Sequence, residues 1–282
     1  MKLTEKVEEI LGDRISSRQS LSGGSIANTQ LIRCESQTEY VIKSEASDGD
    51  FIKEANGLRE LAKADAITIP NVIHAETDFL ILDYIQSASP AADFMANFGR
   101  NFARLHRYQA AEFGFYEDNF IGSTAQQNTQ CSDWTEFFWV NRLEFQLKLA
   151  ETNGYSSDEL RRLMGQLEAN LASIFAGSEE KPALLHGDFW SGNFICGSDG
   201  QAVIIDPAVY YGHREADLAM TRLFGGFNQS FYAAYEADFP LTPGHEQREN
   251  IYKLYHILNH LNIFGSGYYS QAIALLHSAL RA

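Results

Sequence analysis

Three oxygen-bearing side chains follow apolar runs in the second half of the chain. One apolar run ends in the tripeptide His-Gly-Asp at Asp188, Asn193 lies five residues further on, and a second apolar run ends at Asp206. Phosphoryl transfer from ATP needs one carboxylate to orient and deprotonate the attacking hydroxyl, and an amide and a second carboxylate to hold Mg²⁺ on the phosphates. The spacing matches the kinase catalytic loop, which predicts Asp188 as the catalytic base and Asn193 and Asp206 as metal ligands.

These residues also have a plainer interpretation. A Gly-Asp pair between strands is commonly a turn, and an Asn in a loop can satisfy backbone groups through local hydrogen bonds. A turn alone, however, requires neither the spacing Asp-x4-Asn nor an acid at the end of the next strand. The ordered set therefore favours the catalytic interpretation.

The length and the cysteines indicate the class of protein. With 282 residues the chain is long enough for one or two domains with a buried core. Its three cysteines, Cys34, Cys131 and Cys196, are odd in number and far apart, so neither a disulfide framework nor a zinc ribbon is indicated. The start of the chain alternates in charge, and no run of 18 apolar residues occurs. We therefore expect a soluble, unexported protein of the reducing cytoplasm.

The net charge restricts the partners. Acidic residues outnumber basic ones by 37 to 22, which gives −15 at pH 7. Such a chain disfavours general affinity for nucleic acid and for anionic membranes, while a local basic pocket for ATP remains compatible with it. We expect neither nucleic acid nor membrane as a partner, and either a monomer or a homodimer.

A glycine-containing turn lies between the first two predicted strands. Strand-like runs end near Leu21 and at Cys34, with Gly23 and Gly24 between them, and a third run closes at Lys43. Backbone N–H groups in such a turn can approach phosphates because no side chain shields them. The turn lacks a complete G-x-G-x-x-G pattern, so an ordinary hairpin is the alternative interpretation.

Lys43 and Glu54 favour the nucleotide-binding interpretation. Lys43 ends an apolar strand, and Glu54 lies in the first turns of a helix predicted over residues 51–61. Kinases need a strand Lys that reaches the α/β-phosphates and is held by a helix Glu. A solvated Lys and a solvated Glu are the alternative for each residue taken alone.

A change of pattern after residue 83 predicts two lobes. Residues 79–85 have the pattern of a buried strand with a polar end, and the pattern beyond it is helical. Adenine could bond the backbone near Asp83, Tyr84 and Ile85 without the side chains taking part. We predict an α+β fold with a small antiparallel-sheet, nucleotide-binding lobe over residues 1–83 and a mainly helical, catalytic and substrate-binding lobe over residues 84–282.

Helical periodicity dominates the C-terminal part. It predicts helices over residues 94–105, 133–150, 157–175 and 251–262. His106 is expected to be a structural histidine, and the apolar loop 112–124, which is long for a plain connection, to line an acceptor pocket. His256 and His260, one turn apart, either line a pocket or form hydrogen bonds in the core.

The segment after Asp206 is too short for control by phosphorylation. Asp206 is followed by Pro-Ala rather than by the mobile Phe of an Asp-Phe-Gly switch, and only ten residues separate it from Asp217. A long activation segment does not fit in this space. We therefore predict activity without prior phosphorylation.

Several motifs together resemble one known family. They are HGDFWSGN at residues 186–193, DPAVYYGH at 206–213, EADLAMTRLFGGF at 215–227, and the segments 114–124 and 256–265. This set is similar to the fructosamine kinase, or ketosamine 3-kinase, family almost from end to end. Trp190 and the Phe-Gly-Gly-Phe run are its specific marks, since aminoglycoside and choline phosphotransferases share only the HGD-x4-N pattern and the later Asp.

The resemblance implies a two-lobed protein-kinase-like fold and ATP-dependent phosphorylation of the 3-hydroxyl of a ketosamine, a sugar joined to an amine that is later released. Some relatives place a redox-sensitive cysteine in the glycine-rich loop, but no cysteine lies at residues 22–29 here. The resemblance implies Asp188 as the base, Asn193 and Asp206 as the Mg²⁺ ligands, and Lys43 and Glu54 as the pair that positions the phosphates. It also implies that Trp190 packs on the ketosamine. We predict His260, on a possible pocket wall, as a second substrate contact.

Three hypotheses follow from the sequence. The first is a repair kinase for glycated amines, free or on protein lysines, that prefers ribulosamines or erythrulosamines. The second is a phosphotransferase for another hydroxylated amine such as an aminoglycoside, against which Trp190 and the run Phe224–Phe227 argue. The third is a nucleotide-binding pseudokinase that serves as an interaction module, against which the intact Lys43 and Asp188 argue.

Overall fold

The structure, a computed structural model, describes residues 2–21, 27–44 and 51–281. Strands dominate the first third of the chain and helices the remainder, as the sequence predicts. None of the described helices has both the length and the apolar character needed to cross a membrane. The element bounds are α1 Leu3–Leu11, β1 Ile15–Ser20, β2 Asn28–Cys34, β3 Glu39–Ser44, α2 Phe51–Ala62, β4 Val72–Ala75, β5 Phe79–Asp83, α3 Phe94–His106, β6 Asn119–Ile121, β7 Thr124–Gln126, α4 Trp134–Phe138, α5 Phe145–Thr152, α6 Asp158–Phe175, β8 Ala183–Leu185, β9 Phe194–Cys196, β10 Ala202–Ile204, β11 Tyr210–Gly212, α7 Glu215–Leu223, α8 Gln229–Asp238, α9 His245–Phe264 and α10 Tyr269–Leu280.

A five-stranded antiparallel sheet forms the N-terminal part, in the order β1-β2-β3-β5-β4. Successive side chains of a strand point to opposite faces of the sheet. Accordingly, Phe79 and Ile81 of β5 pack with α1 on one face, whereas Leu80 and Leu82 pack with α2 on the other. Burial on both faces fixes the register of the central strands, in which Lys43 of β3 lies opposite Leu80.

A larger hydrophobic core lies in the C-terminal part and draws residues from α3 to α10. The ring of Phe189, the residue after Asp188, is fully buried in this core. It stacks on Phe102 of α3, with the ring centroids 4.2 Å apart. The candidate catalytic loop is therefore anchored in the core by an aromatic side chain directly beside the candidate base.

Two short antiparallel ladders carry the candidate catalytic segments. Strand β8 pairs with β11, and β9 pairs with β10. The His-Gly-Asp tripeptide ending at Asp188 follows β8, Asn193 directly precedes β9, and Asp206 lies just beyond β10. The ends of these ladders thus bring together three residues that the sequence places up to 18 positions apart.

The structure differs from the expected elements at three places. Strand β5 ends at Asp83 rather than at Ile85. The helix expected over residues 133–150 contains a π-helical turn at Trp139–Glu144, and the loop expected over 112–124 carries the hairpin β6–β7. Hydrophobic periodicity reveals neither the π-helical turn nor the hairpin. A π turn has no distinct residue signature, and three-residue strands are too short to show alternation.

Candidate active site

Asn193 connects the two carboxylates that the sequence singles out. Its side-chain amide donates to the backbone oxygen of Asp188 at 2.8 Å and to the Asp188 Oδ2 atom at 3.3 Å. The same Nδ2 atom lies 3.5 Å from the backbone oxygen of Asp206. Because the amide nitrogen is engaged within the loops, the carbonyl oxygen of Asn193 is the atom left to bind a cation.

Hydrogen bonds hold the segments after β8 and β10 against one another. The Ala208 N–H donates to the His186 carbonyl at 2.8 Å, and the buried His186 Nε2 donates to the Ile205 carbonyl at 2.9 Å. Gly187 has φ +83°, and a Cβ there would lie 1.9 Å from the Ala208 carbonyl oxygen. Only glycine permits this close approach, so the His-Gly-Asp sequence is needed for the two segments to meet.

Lys43 binds both Glu54 and Asp206. Its Nζ atom lies 2.7 Å from Glu54 Oε1 and 2.5 Å from Asp206 Oδ1. Burial opposes the charge of Lys43, but the two carboxylates outweigh this effect and raise its pKa above the ordinary value. The expected pair of Lys43 and Glu54 is present, and the contact with Asp206 connects the N-terminal sheet to the candidate metal-binding segment.

Asp188 occupies an environment that disfavours its charge. Burial is the main cause, and repulsion from Asp206 adds to it, while the hydrogen bond from Asn193 acts in the opposite direction. Together they raise the pKa of Asp188 to about 7. A carboxyl group with a raised pKa beside other charged groups is typical of a functional site.

Asp217 holds the backbone of the candidate catalytic loop, and the sequence analysis did not assign it a role. Its carboxylate accepts hydrogen bonds from the backbone N–H of His186 at 2.7 Å and of Gly187 at 2.9 Å. Burial disfavours the charge, but the hydrogen bonds from His106 and from the Gly187 N–H hold the pKa of Asp217 below its ordinary value. One signal was available in the sequence: Asp217 is an acid on an otherwise apolar helix run, Ala216 to Met220.

His106 is a structural histidine, as expected. The side chain is fully buried, with Nδ1 2.7 Å from the Tyr235 hydroxyl and Nε2 3.3 Å from Asp217 Oδ2. Burial lowers the pKa of His106 despite the neighbouring carboxylate. A neutral imidazole protonated on Nε2 satisfies both contacts, since it accepts from the tyrosine and donates to the aspartate.

The residues expected to face the adenine lie at the end of β5. The Asp83 carboxylate accepts hydrogen bonds from the backbone N–H of Asn71 at 2.6 Å and from its side-chain amide at 2.8 Å. The Asp83 side chain is thus committed to Asn71, and the backbone near Tyr84 and Ile85 remains as the candidate contact. Gly23 and Gly24, the other predicted nucleotide contacts, lie outside the described residues.

Trp190 and His260 belong to one group of aromatic rings. Both contact Phe224, with ring centroids 6.3 Å and 4.9 Å away, respectively. Phe264 and Tyr268 extend the group from His260 at 5.4 Å and 5.1 Å. Phe224 and Phe264 are 40% and 54% exposed, so this group presents open aromatic surface. One of its members, Trp190, lies two residues after Asp188 in the chain.

His256, one turn before His260, is buried, and its Nδ1 atom has no hydrogen-bond partner among the described residues. Burial is the main cause that lowers the pKa of His256 to about 3, and the charge of His260 adds to this effect. The histidine therefore stays neutral in the folded protein across the physiological pH range. It lies in the core, and none of the residues that the structure describes forms a hydrogen bond with its side chain.

The pKa of His256 predicts a measurable effect on stability. Since the folded-state pKa is below the ordinary 6.5, the unfolded chain takes up the proton first, and stability decreases as the pH falls below 6.5. Between pH 8 and pH 5 this histidine should lower the free energy of unfolding by about 2 kcal/mol. His256→Asn should remove that part of the pH dependence in denaturant titrations.

The control for this measurement is His277→Asn, because the side chain of His277 is 41% exposed. This variant should retain the full pH dependence of the wild type. Equal pH dependence in the wild type and in His256→Asn would show that His256 does not titrate as described.

The model of one protein family matches the whole chain. This family is described as fructosamine kinase, and its match covers residues 1–282. The chain belongs to the fructosamine kinase family. It is therefore a member of a family of small-molecule kinases, as the resemblance of the motifs implied.

Curated relatives of the fructosamine kinase family agree with this assignment. A probable ketoamine kinase from Synechocystis is 37% identical over 99% of this chain and 96% of its own length. A chloroplastic protein-ribulosamine 3-kinase from Arabidopsis thaliana is 38% identical over 95% of this chain and 84% of its own length.

Solved structures confirm the fold class. A crystal structure from Thermobifida fusca, assigned as a fructosamine-3-kinase, has a TM-score of 0.91 and 30% identity, and the match covers 100% of this chain and 99% of that one. An aminoglycoside phosphotransferase has a TM-score of 0.67 at 17% identity, with 100% and 98% of the two chains covered. This more distant likeness shows the fold alone: a two-lobed, protein-kinase-like α+β fold.

The packing of two family motifs explains why they occur together. Gly226 of the Phe-Gly-Gly-Phe run has φ +93°, and a Cβ there would lie 2.2 Å from the Cβ atom of Ser191. The run therefore packs directly on the candidate catalytic loop next to Trp190. Phe224 at its start contacts the Trp190 ring, so the fructosamine kinase motifs form a single surface.

Proposed function

We propose that the protein transfers the γ-phosphate of ATP to the 3-hydroxyl of ketosamines, with ribulosamines and erythrulosamines preferred over fructosamines. The observation that carries the proposal is the convergence of Asp188, Asn193 and Asp206 with Lys43 and its partner Glu54. Family membership and the names of the relatives support the ketosamine as acceptor.

Asp188 acts as the base in this proposal. Its carboxylate orients the acceptor hydroxyl and takes its proton while the hydroxyl oxygen bonds to the γ-phosphorus. The bond from the γ-phosphorus to the bridging oxygen breaks at the same time, and ADP leaves. The raised pKa of Asp188 suits a group that accepts a proton near neutral pH.

The residues around Asp188 fit a magnesium ion. Mg²⁺ in phosphate-transfer sites takes one or two protein oxygens together with waters and phosphate oxygens. Asn193 and Asp206 offer an amide and a carboxylate oxygen on adjacent segments, and the Asp206 side chain is 37% exposed. Groups of three or more His, Cys, Asp and Glu that could hold a metal are absent from the described part of the chain. Bound there, Mg²⁺ would neutralise charge on the phosphates and on Asp206.

The nucleotide occupies the cleft between the two lobes in this proposal, with residues 1–83 above it and 84–282 below. Lys43, held by Glu54, contacts the phosphates, and the backbone near Asp83, Tyr84 and Ile85 binds the adenine. Lys43 binds Asp206 in this structure. With the nucleotide and metal bound, phosphate oxygens would contact Lys43 and Mg²⁺ would contact Asp206. Gly23 and Gly24 are proposed to cover the phosphates.

The ketosamine lies against Trp190 and His260 in this proposal. The exposed aromatic surface at Phe224 and Phe264 continues past these residues, which suits an acceptor whose amine carries a larger group. Both a free ketosamine and a glycated protein lysine are compatible with such an open side. We further propose a cytoplasmic enzyme, monomeric or homodimeric.

The test is an assay of ATP consumption with a panel of acceptors: ribulosamine, erythrulosamine and fructosamine derivatives of lysine, an aminoglycoside, and choline. We expect the highest kcat/KM for the ketosamines, and a product that carries phosphate on the 3-oxygen by NMR. Protein treated with phosphatase should be equally active, because no activation segment needs phosphorylation. A preference for the aminoglycoside would contradict the proposal and indicate an aminoglycoside phosphotransferase. ATP binding without turnover on any acceptor would favour a pseudokinase.

A further inference from the structure

Buried polar side chains are concentrated in the segment 116–128, which carries the hairpin β6–β7. Asn119, Gln126 and Asn128 are at most 5% exposed. Buried amide side chains are costly unless their hydrogen bonds are satisfied. The contacts of these side chains therefore indicate what this segment holds in place.

Two of these amides bind the backbone just after Asp206. The Asn119 Nδ2 atom donates to the Val209 carbonyl at 2.8 Å, and Gln126 Nε2 donates to the Ala208 carbonyl at 2.9 Å. Gln126 Nε2 also donates to Asn119 Oδ1 at 2.8 Å, and its Oε1 atom accepts from the Tyr255 hydroxyl at 2.8 Å. The orientation of the Gln126 amide is thus fixed on both sides.

Asp206 needs such support because its backbone is in the left-handed region, with φ +57°. A residue with a Cβ is disfavoured there, although aspartate tolerates this region better than most, so hydrogen bonds to the neighbouring backbone contribute to holding the conformation. The carbonyls of Ala208 and Val209, bound by the amides, lie two and three residues further on. The amides of segment 116–128 therefore fix the backbone that directs the Asp206 side chain towards Lys43.

The same segment also contacts α2, the helix that carries Glu54. The Asn56 Nδ2 atom donates to Glu117 Oε1 at 2.9 Å, and Lys53 Nζ lies 5.3 Å from the centre of the Phe120 ring. Segment 116–128 is thus bonded both to the helix of Glu54 and to the loop of Asp206. These are the two carboxylates that Lys43 binds.

We propose that segment 116–128 positions Asp206 and Glu54 around Lys43, with Gln126 and Asn119 as positioning residues for the metal-binding carboxylate. The inference rests on the proposed function of Asp206 as a Mg²⁺ ligand. Only ten residues separate Asp206 from Asp217, and a long activation segment has no room there. In this enzyme an internal hairpin does constitutively what an activation segment would do on phosphorylation.

The test replaces Gln126 by Met, which keeps the length of the side chain but removes both donors and the acceptor without adding charge. We expect kcat to fall by about tenfold and the Mg²⁺ concentration for half-maximal activity to rise by about fivefold, since a buried hydrogen bond to the loop is lost. The KM for the ketosamine should remain within about twofold, because the hydrogen bonds of the Gln126 side chain go to neither Trp190 nor His260, the proposed acceptor contacts.

The matched control is Gln127→Met, because the neighbouring Gln127 is exposed. It should show wild-type kinetics. A second readout does not depend on turnover: the rise in melting temperature on addition of MgCl₂ and AMP-PNP should be smaller in Gln126→Met than in Gln127→Met.

A second variant, Glu117→Ala, keeps the inference testable if Gln126→Met does not fold. Glu117 is only partly buried, and its loss removes the bond to Asn56. We expect a rise of about twofold to threefold in the Mg²⁺ requirement. Unchanged Mg²⁺ dependence and unchanged AMP-PNP stabilisation in the folded variants would overturn the inference. If the wild type binds MgAMP-PNP but phosphorylates no acceptor, that result would contradict only the proposed function.

Discussion

Asp188→Asn should lower turnover by at least ~10²-fold, because it removes the proposed base, the carboxylate that would take the proton from the acceptor hydroxyl. The asparagine has the same shape, and Asn193 binds the backbone oxygen of Asp188 at 2.8 Å, which the substitution retains. The loop should therefore keep its conformation. Replacing the carboxylate also removes its repulsion with Asp206, so binding of Mg²⁺ and nucleotide should not weaken.

The measurement compares kcat on the preferred ketosamine with the dissociation constant of MgADP for the wild type and the variant. Asp199→Asn is the matched control, since Asp199 is exposed in the turn between β9 and β10 and should not affect turnover. A variant that turns over at the wild-type rate would exclude Asp188 as the base. A variant that loses MgADP binding would show that Asp188 acts mainly on the metal.

The sequence predicted contacts that depend on local spacing. Asp188 and Asn193 are neighbours in space because a single loop connects them, so their covalent separation nearly determines their contact. Lys43 and Glu54 were predictable for a related reason, since a strand end and the helix that follows it are joined by a short link.

The sequence did not predict contacts that depend on the packing of distant segments. Asn119 and Gln126 belong to a segment whose strands are too short for a periodic signal, and nothing in their residue type indicates burial. Arg142 is a stronger example: it is fully buried in the π turn, with its guanidinium 4.1 Å from the centre of the Tyr210 ring. Arginine is almost never fully buried, so no sequence rule would have placed it in the core.

Asp217 belongs to the same group of unpredicted residues, and replacing it should have the largest effect on stability. Its carboxylate accepts three hydrogen bonds in the core, two from the backbone of His186 and Gly187 and one from His106. Asp217→Asn puts an NH₂ group in the place of one carboxylate oxygen, so the N–H group that donated to that oxygen loses its acceptor. A buried N–H left without an acceptor costs about 1–3 kcal/mol, and the charge-assisted character of the remaining bonds is lost as well.

We expect Asp217→Asn to lower the free energy of unfolding by about 3 kcal/mol, seen as a fall of roughly 5–10 °C in melting temperature. Asp78→Asn, at an exposed position, is the control and should melt like the wild type. The folded variant should also turn over about tenfold more slowly, since a single hydrogen bond of about 1.4 kcal/mol to the loop corresponds to that factor.

These two effects of Asp217→Asn separate a structural role from a positioning role. His186 and Gly187 precede Asp188 directly, so a shift of their backbone N–H groups moves the proposed base relative to Asn193, whose bond to Asp188 Oδ2 is already 3.3 Å long. A lower melting temperature with unchanged kcat at 15 °C, where the variant is folded, would assign Asp217 to stability alone. A reduced kcat with unchanged KM for ketosamine and MgATP requires that Asp217 also sets the geometry of the base, because binding of both substrates would then be intact while the proton transfer is not.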